Sequence, residues 1–450
     1  MEHTTRRRRR APGWLTAAIG LCALGALHAQ PRILAGEPVA VSRDRPGTPH
    51  VEPSLAADPA DPDLLFGAAV RFPDAGPGSV AESAVAGFRS ADGGKTWTRV
   101  PFPACRIDPW VSFGNGGELA VACLGEESAL IVYRSADGGR AWTGPVHVPA
   151  GTAGAADRPV AAIDLSAGPR SGAVYVAAGR SFPASGLQER IYGPAVVRLG
   201  DAEPVFLRHD NLTQQPFDAT VLSTGALVLF FMDYSTRQGA PLAHRRTWTV
   251  ASQDGGRTFS PPALVREQLG TEMPWAAAVD RSLLHHDRLY LAVDGAWRRR
   301  QGPAESAPPP WGSLFVMISD DAGRTWRTGG TVSDGPPTAD AATPALAVNA
   351  GGVVGVAWYD TRRDPAGECF DLYFTASLDG GATFLPSVRI TPERSCPRAV
   401  AAQRGVASRW PFGGDYSGLA AGADGRFHLF WADSSGGVYQ IRTAAVRVSR

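Results

Sequence analysis

The sequence has little charge of either sign and, beyond its first residues, no long apolar stretch. Charged residues make up 19% of the 450 residues, and the formal net charge is +1. A chain this close to neutral lacks the basic surface that nucleic-acid binding requires, so we expect no nucleic-acid partner. After the N-terminal region no apolar run reaches the roughly 20 residues of a spanning helix, so we expect no membrane partner for the mature chain.

The sequence also lacks the uninterrupted segments that long helices need. Its 52 Gly and 37 Pro together account for about one residue in five, close to twice average usage. Hydrophobic residues still make up 44% of the chain, which is enough for a large core and excludes a disordered protein. No G-x-S-x-G, H-E-x-x-H, phosphate-loop or dinucleotide motif is present, so the common hydrolase and nucleotide-binding classes find no support.

The N-terminus has the order of features of an exported protein. Five arginines, Arg6 to Arg10, precede an apolar stretch from Trp14 to Leu27 and small residues around Ala29. This order is typical of a secretory signal peptide, and we assign residues 1–29 to it and residues 30–450 to a single domain. A retained membrane anchor is the alternative, although the apolar stretch is short for one. We expect a secreted or periplasmic protein that is a monomer.

Cysteine is scarce, and its placement is informative. Cys22 falls in the signal peptide, and the other four form two local pairs, Cys105 with Cys123 and Cys369 with Cys396. An oxidising destination and short sequence separations favour a disulfide within each pair. Four buried free thiols are the alternative.

One motif, S-x-D-x-G-x-T-[W/F], occurs five times, first from Ser90 to Trp97, with Ala141 in place of Thr in the second copy. The motif suits a tight hairpin loop in which Asp accepts hydrogen bonds from loop N–H groups, Gly adopts a positive φ, and the aromatic residue packs beneath. We assign these loops a structural role. Their carboxylates are Asp92, Asp137, Asp254, Asp321 and Asp379.

The same frame of four short strands recurs around the motif at intervals of 40 to 60 residues, which predicts an all-β protein made of β-propeller blades. Counting the second strand of each unit gives seven blades, with six as the alternative. These strands are predicted at 64–70, 119–123, 173–178, 226–232, 289–293, 353–358 and 427–431. The last unit lacks a fourth strand, which residues 33–41 could supply, and this exchange would close the ring.

The five-fold motif resembles the Asp-box, or BNR repeat, and the whole mature chain resembles the secreted Asp-box propellers of the sialidase/neuraminidase superfamily. The resemblance implies that the motif loops join the third and fourth strands on the face opposite the active site. Asp-boxes also occur in propellers without sialidase activity, so the resemblance is specific for the fold rather than for the activity.

The functional face should therefore be formed by the loops after each second strand and by the entries to each first strand. Charged residues occupy both places in nearly every blade, and we expect them to surround one end of the central channel. After the second strands stand Arg71, Glu126, Arg180, Asp233, Asp294, Asp360 with Arg362, and Asp433. At the entries stand Glu52, Asp108, Asp157 with Arg158, Asp218, Glu272, Asp340, and Asp415 with Tyr416. The alternative is that these are ordinary turn residues, with Asp360 and Arg362 forming a structural ion pair.

The resemblance also implies catalytic roles. Sialidases use a Tyr nucleophile with a Glu partner, an Asp acid/base and three Arg, and the string Asp415-Tyr416-Ser417 before an apolar strand resembles the nucleophile segment. By position in the blades, Glu272 would be the partner of Tyr416 and Asp108 the acid/base. The residues expected to bind substrate are Arg71, Arg180, Arg362, Asp360, Trp110 and Trp275.

The resemblance thus implies an exported sialidase-like propeller that acts on or binds glycans, with a Tyr nucleophile if it is an exo-glycosidase. A non-catalytic propeller that binds a glycan, a cell-wall polymer or a protein is the alternative. We expect no cofactor, although the ring of carboxylates leaves a structural Ca²⁺ ion open as a further alternative.

Overall fold

The protein is described by a computed structural model. It describes the chain except for residues 2–30, 73–82, 184–189, 208–212, 235–243, 270–275, 295–312, 365, 401–403 and 450. The predicted signal peptide, apart from Met1, therefore lies outside the described residues. Seven antiparallel sheets make up the described part, and each packs its innermost strand against that of the next sheet. The prediction of a seven-bladed all-β propeller is confirmed, and the six-blade alternative is wrong.

Two short strands, β1 (Arg32–Ala35) and β2 (Val39–Ala40), precede blade 1. In blades 1 to 6 the four strands run in chain order from the axis outward. The strands of blades 1 to 3 are β3 (His50–Ala57), β4 (Leu64–Arg71), β5 (Ala84–Ala91) and β6 (Thr98–Phe102), then β7 (Ile107–Phe113), β8 (Leu119–Leu124), β9 (Leu130–Ser135) and β10 (Thr143–His147), then β11 (Ala156–Ile163), β12 (Val174–Pro183), β13 (Arg190–Arg198) and β14 (Val205–Phe206).

The remaining blades continue the pattern. Their strands are β15 (Thr213–Val221), β16 (Leu227–Tyr234), β17 (His244–Ser252) and β18 (Ala263–Leu269), then β19 (Ala276–Val279), β20 (Leu289–Asp294), β21 (Leu314–Ser319) and β22 (Arg327–Thr331), then β23 (Ala341–Val348), β24 (Val354–Asp360), β25 (Asp371–Ser377) and β26 (Val388–Arg389), then β27 (Gly418–Ala421), β28 (Phe427–Asp433) and β29 (Gln440–Ser449). A short helix, α1 (Arg404–Arg409), precedes blade 7.

The N-terminal strands complete blade 7. Both β1 and β2 pair antiparallel with β29, so the start and the end of the described chain share one sheet. Ser42 continues the pairing, because its Oγ donates to Gln440 Oε1 at 2.7 Å and accepts from the N–H of Ile441 at 3.0 Å. This is the closure that the sequence predicts for residues 33–41, and it leaves β29 paired on both sides.

The second strand of each blade supplies most of the core. Every residue of β8 and of β28 is buried, which matches the continuous apolar sequence LAVACL of β8 and the mostly apolar sequence FHLFWAD of β28. Such strands lie between neighbouring sheets, so both of their faces contact apolar side chains. The seven predicted second strands all correspond to observed ones, with ends that differ by a few residues.

The five motif loops have the expected hydrogen bonds. In the first, Asp92 accepts from the N–H and the hydroxyl of Thr96 at 2.9 and 2.6 Å, and Ser90 Oγ donates to Asp92 Oδ1 at 2.9 Å. Gly94 adopts φ +86°, a conformation that favours glycine, and its N–H donates to Ser90 Oγ at 2.9 Å. The loops are therefore closed by their own side chains.

The aromatic residues of the motif loops reach the preceding blade. The Trp97 ring lies 5.4 Å from that of Phe430 in blade 7, and the Trp142 ring lies 5.0 Å from that of Phe66 in blade 1. These contacts join neighbouring sheets in addition to closing a hairpin. The motif thus stabilises the ring as well as each blade.

Both predicted disulfides are confirmed. Cys105–Cys123 joins the entry of blade 2 to β8, and Cys369–Cys396 joins the loop before β25 to the segment after β26. The alternative of four free thiols is wrong. None of the helices in the described part of the chain is long and apolar enough to cross a membrane.

We expect Ser90→Ala to lower the free energy of unfolding by about 1–3 kcal/mol, because the buried N–H of Gly94 would lose its acceptor. Urea denaturation followed by tryptophan fluorescence would measure the change. Thr152→Ala is the matched control, since it removes a hydroxyl from an exposed loop. Equal stability of Ser90→Ala and the wild type would contradict the role assigned to the loop.

We expect removal of residues 30–41 to lower the melting temperature and to promote self-association. The outer edge of β29 would lose the partners β1 and β2, and an unpaired strand edge invites pairing with another chain. A chain that begins at residue 30 is the control for a chain that begins at residue 42. Size-exclusion chromatography and thermal unfolding would compare them, and identical behaviour would show that the closure contributes nothing.

Candidate active site

An axial cavity of about 180 Å³ opens where the innermost strands of the seven blades converge. Every blade contributes to its wall, either from the innermost strand or from the residues that enter it. Its charged and hydroxyl-bearing residues are Ser54, Asp108, Arg158, Asp218, Asp415, Tyr416 and Ser417. The entries to the first strands thus meet at the channel as the sequence predicts.

A shared backbone irregularity presents two of these side chains, Asp108 and Arg158. The pairing of the first with the second strand shifts register in blades 1, 2, 3 and 6, and a residue at each shift has a positive φ. These residues are Glu52, Asp108, Arg158 and Thr343, with φ between 51° and 55°. Each of the four stands directly before a proline. We call them the pre-proline bulges.

The pre-proline bulges are strained positions. A left-handed conformation at a residue other than glycine costs about 1–3 kcal/mol and persists where the surrounding structure enforces it. Strain of this kind is concentrated at functional sites, so its recurrence around one cavity marks the cavity as a site. The sequence does show a polar residue followed by a proline at the entry of each of these blades. Without the register between the first and second strands, this pair of residues cannot be distinguished from an ordinary turn.

Tyr416 reaches the cavity through a close contact between blades 7 and 1. The N–H of Glu52 donates to the carbonyl of Gly413 at 2.8 Å. Gly414 has φ +144°, and a Cβ at this position would lie 2.7 Å from the Glu52 nitrogen. Only glycine allows this approach, which sets the entry of Asp415 and Tyr416 against the bulge of blade 1.

Glu52 and Asp108 form a pair of neighbouring carboxyl groups, of which Glu52 is buried and Asp108 half-buried. Glu52 is 3% exposed, and its Oε2 has no hydrogen-bond partner among the described residues. Burial and the negative charge of Asp108 raise the pKa of Glu52 well above its ordinary value. Burial, with the nearby charge of Asp157, raises the pKa of Asp108 to about 6. A proton is therefore held at this pair under mildly acidic conditions.

Tyr416 lies beside this pair and beside an aromatic wall. The Trp110 ring meets the Tyr416 ring edge to face at 6.2 Å, and Trp110 Nε1 donates to the carbonyl of Ala161 at 3.1 Å. Burial and the negative charges of Glu52, Asp108 and Asp415 raise the pKa of the Tyr416 phenol well above its ordinary value. The phenol is consequently protonated in the free protein.

An ion pair crosses the cavity from blade 3 to blade 7. Arg158 Nη2 lies 2.5 Å from Asp415 Oδ2, and the two side chains are 20% and 47% exposed. Both residues also line the cavity, so a ligand that enters it meets a guanidinium group already paired with a carboxylate. Arg158 is the only arginine among the described residues that line the cavity.

Asp218 adds a carboxyl group from blade 4. Its two oxygens accept from the N–H groups of Ala219 and Ala277, each at 2.8 Å, and the second of these bonds joins blade 4 to blade 5. Burial outweighs these bonds and raises the pKa of Asp218 to about 7. Two carboxyl groups of the cavity, Asp108 and Asp218, thus have pKa values that burial raises above the ordinary value.

Four residues expected to bind substrate lie away from the axial cavity. Arg362 pairs with Asp360 at 2.7 Å and with Asp334 at 2.8 Å, and it stacks on the Tyr373 ring at 4.0 Å. Asp360 is 1% exposed and also accepts from the indole of Trp358. Their ion pair matches the structural alternative.

Arg180 and Arg71 complete this group. Arg180 is 3% exposed and donates to the carbonyls of Val148 and Pro149 at 3.3 and 3.2 Å. Arg71 ends β4 and lines a separate pocket near the outer strands of blade 1. Loops that follow second strands start one strand further from the axis than the entries do, which explains why these guanidinium groups do not reach the cavity.

Of the residues predicted for the site, the structure brings Tyr416, Asp108 and Trp110 together. Glu272 and Trp275 lie outside the described residues, so their roles stay predictions. Glu52 and Asp415 are also carboxyl neighbours of Tyr416. Both stand at predicted blade entries, but the sequence assigns neither of them a catalytic or binding role. Within the described ranges, no group of three or more His, Cys, Asp or Glu side chains is arranged to hold a metal ion.

No family model and no curated protein matches the chain. Solved structures match at low identity. A protein of unknown function from Dyadobacter fermentans has 14% identity and a TM-score of 0.49, with 93% of this chain and 99% of that one covered. A Hadza microbial sialidase has 16% identity and a TM-score of 0.45, with 85% and 73% covered. An alpha-L-arabinofuranosidase from Fusarium graminearum has 13% identity and a TM-score of 0.45, with 92% and 98% covered. Likeness at this level supports no statement about activity.

The raised carboxyl pKa values make a prediction about stability. A group whose pKa is higher in the folded than in the unfolded protein stabilises the fold at low pH, and this contribution is lost as pH rises. We expect wild type to lose stability relative to Glu52→Gln as pH rises from about 4 through 7, because Glu52 keeps its proton only in the folded state.

Chemical denaturation of the two proteins at several pH values would measure this difference. Glu37→Gln is the matched control, since Glu37 is exposed on the N-terminal segment. Its stability difference from wild type should not vary with pH. If the stability difference between Glu52→Gln and wild type were also independent of pH, Glu52 would ionise in the folded protein as it does in water.

Proposed function

We propose that the chain is an exported glycoside hydrolase that acts at the axial cavity on an uncharged glycan. The observation that carries the proposal is the meeting of Tyr416, Asp108 and Trp110 in one cavity, with Glu52 next to Tyr416. Glycoside cleavage requires a proton donor for the leaving oxygen and a group that stabilises the anomeric carbon. The cavity offers both within one aromatic-walled space.

Asp108 is the proton donor in this proposal. Its pKa of about 6 keeps the carboxyl group protonated under mildly acidic conditions and still allows it to release the proton to a glycosidic oxygen. Tyr416 faces the anomeric carbon as the nucleophile. As its oxygen attacks, its proton passes to the carboxylate of Asp415, which lines the same cavity.

The charge of the cavity fits the transition state of this reaction. Cleavage of a glycosidic bond develops positive charge on the sugar ring. Asp108 becomes negative as its proton leaves, and the oxygens of Asp415 line the same cavity, so growing positive charge is stabilised there. Trp110 offers an aromatic face on which a sugar can stack.

The same charge favours an uncharged substrate over sialic acid. A sialic acid carboxylate needs cationic partners, whereas the arginine in the described cavity wall, Arg158, already pairs with Asp415. A neutral sugar can enter without placing another negative charge beside Asp108 and Asp218. The two disulfides support export to an oxidising compartment.

We expect Tyr416→Phe and Asp108→Asn each to lower kcat/KM by at least about 100-fold, since each removes a group that takes part in proton transfer or bond formation. A panel of fluorogenic neutral glycosides and a sialoside would serve as substrates. For wild type, kcat/KM should fall as pH rises above about 6, where Asp108 loses its proton. The residual activity of Asp108→Asn should lack this decline.

Tyr133→Phe is the matched control, because it removes a phenolic hydroxyl in blade 2 outside the axial cavity. Its activity should equal that of wild type. Preference for the sialoside would contradict the uncharged substrate. Binding of a glycan without turnover of any glycoside would contradict the catalytic role and identify a glycan-binding propeller.

A further inference from the structure

A second pocket lies on blade 1, outside the axial cavity. Its volume is about 260 Å³, and it is formed by β5, β6, the end of β4 and the turn that contains Arg45. Three arginines line it, Arg45, Arg71 and Arg99. Its other walls are apolar and include Val85, Pro101 and Phe102. We call this the arginine pocket.

Arg99 is held in place by its neighbours. Its Nε and Nη2 donate to the two carboxylate oxygens of Asp44 at 2.6 and 3.0 Å, and its guanidinium group lies 5.1 Å from the centre of the Phe88 ring. Its Nη2 also lies 3.2 Å from His50 Nε2. A guanidinium group fixed in this way presents its remaining N–H groups in a constant direction.

Arg45 and Arg71 have no such neutralising partner. Neither guanidinium group forms an ion pair with a described residue, whereas Arg99 pairs with Asp44. Burial and the positive charges of Arg45 and Arg99 lower the pKa of Arg71. Among the described residues, three guanidinium groups and one carboxylate leave an excess of two positive charges at the pocket.

His50 does not change this balance. It is buried beneath Arg99, and burial together with the charge of Arg99 lowers its pKa to about 3. It is therefore neutral at physiological pH. The uncompensated charge belongs to Arg45 and Arg71, which come from separate segments and face one apolar space.

An anion would relieve this repulsion. Guanidinium groups bind oxyanions through paired N–H donors, and apolar walls strengthen the interaction because they exclude water. An excess of two charges matches a dianion such as sulfate or phosphate better than a single carboxylate. The apolar walls leave room for the body of a molecule that carries the anionic group.

We propose that the arginine pocket is a second binding site, which takes a tetrahedral oxyanion, as a free ion or as a sulfate or phosphate ester, on Arg45, Arg71 and Arg99. The site lies outside the axial cavity but in the same blade as Glu52. Its occupancy does not depend on catalysis, so a failure of this proposal is distinguishable from a failure of the proposed function.

Isothermal titration calorimetry with sodium sulfate, at constant ionic strength in chloride, would test the proposal. We expect saturable binding by wild type and at least a tenfold loss of affinity in Arg71→Gln and in Arg45→Gln. Arg257→Gln is the matched control, because this exposed arginine lies on a motif loop of blade 4. It should bind as wild type does.

Three further arms decide the class of ligand. Inorganic phosphate should compete with sulfate, and acetate at the same concentration should not. A sulfated disaccharide that binds more tightly than sulfate, while its unsulfated counterpart does not bind, would assign the oxyanion to a glycan ester. Equal affinity for sulfate and the sulfated disaccharide would assign it to a free ion.

Unchanged sulfate affinity in Arg71→Gln, with normal thermal unfolding, would overturn the proposal, as would stronger binding of acetate.

Discussion

Closure of the ring is the constraint on which the rest of the structure depends. Seven twisted sheets can share one axis only if the innermost strand of the last blade packs against that of the first. At this seam the N–H of Glu52 bonds to Gly413, and Gly414 allows the two backbones to approach. On the outer side of blade 7, β1 pairs with β29. The seam that closes the ring also sets Tyr416 beside Glu52, so the fold and the candidate site share one set of contacts.

The fold was predictable because the information for it is local and repeated. Each motif loop contains its own donors and acceptors, as Ser90, Asp92 and Thr96 show, and the second strands are rich in apolar residues, as β8 shows. The candidate site was predictable only in part. Tyr416, Asp108 and Trp110 stand at blade entries and do meet. Arg180 and Arg362 have the expected charge at the expected blade ends, yet their positions one strand outward send them to local partners. Distance from the axis depends on strand order and register, which residue type does not encode.

Charge of opposite sign is separated across blade 1. The axial side of the blade contributes Glu52, next to the other carboxyl groups of the cavity, while the outer side contains Arg71 and Arg99. The chain as a whole is nearly neutral, with a formal charge of +1. Near neutrality therefore conceals two distinct local regions, an axial one rich in carboxyl groups and an outer one rich in guanidinium groups. Composition excludes a general electrostatic function but does not exclude local ones.

The pre-proline bulges have a consequence for how such a protein can diverge. Glu52, Asp108, Arg158 and Thr343 occupy equivalent backbone positions in four blades, yet they differ in charge and size. The bulge comes from the strand register and the following proline, so the side chain before the proline can change without a change in the packing of the sheets. A new ligand preference could arise from single substitutions at these positions, and descendants of one ancestral ring could recognise different molecules while their blades remain superimposable.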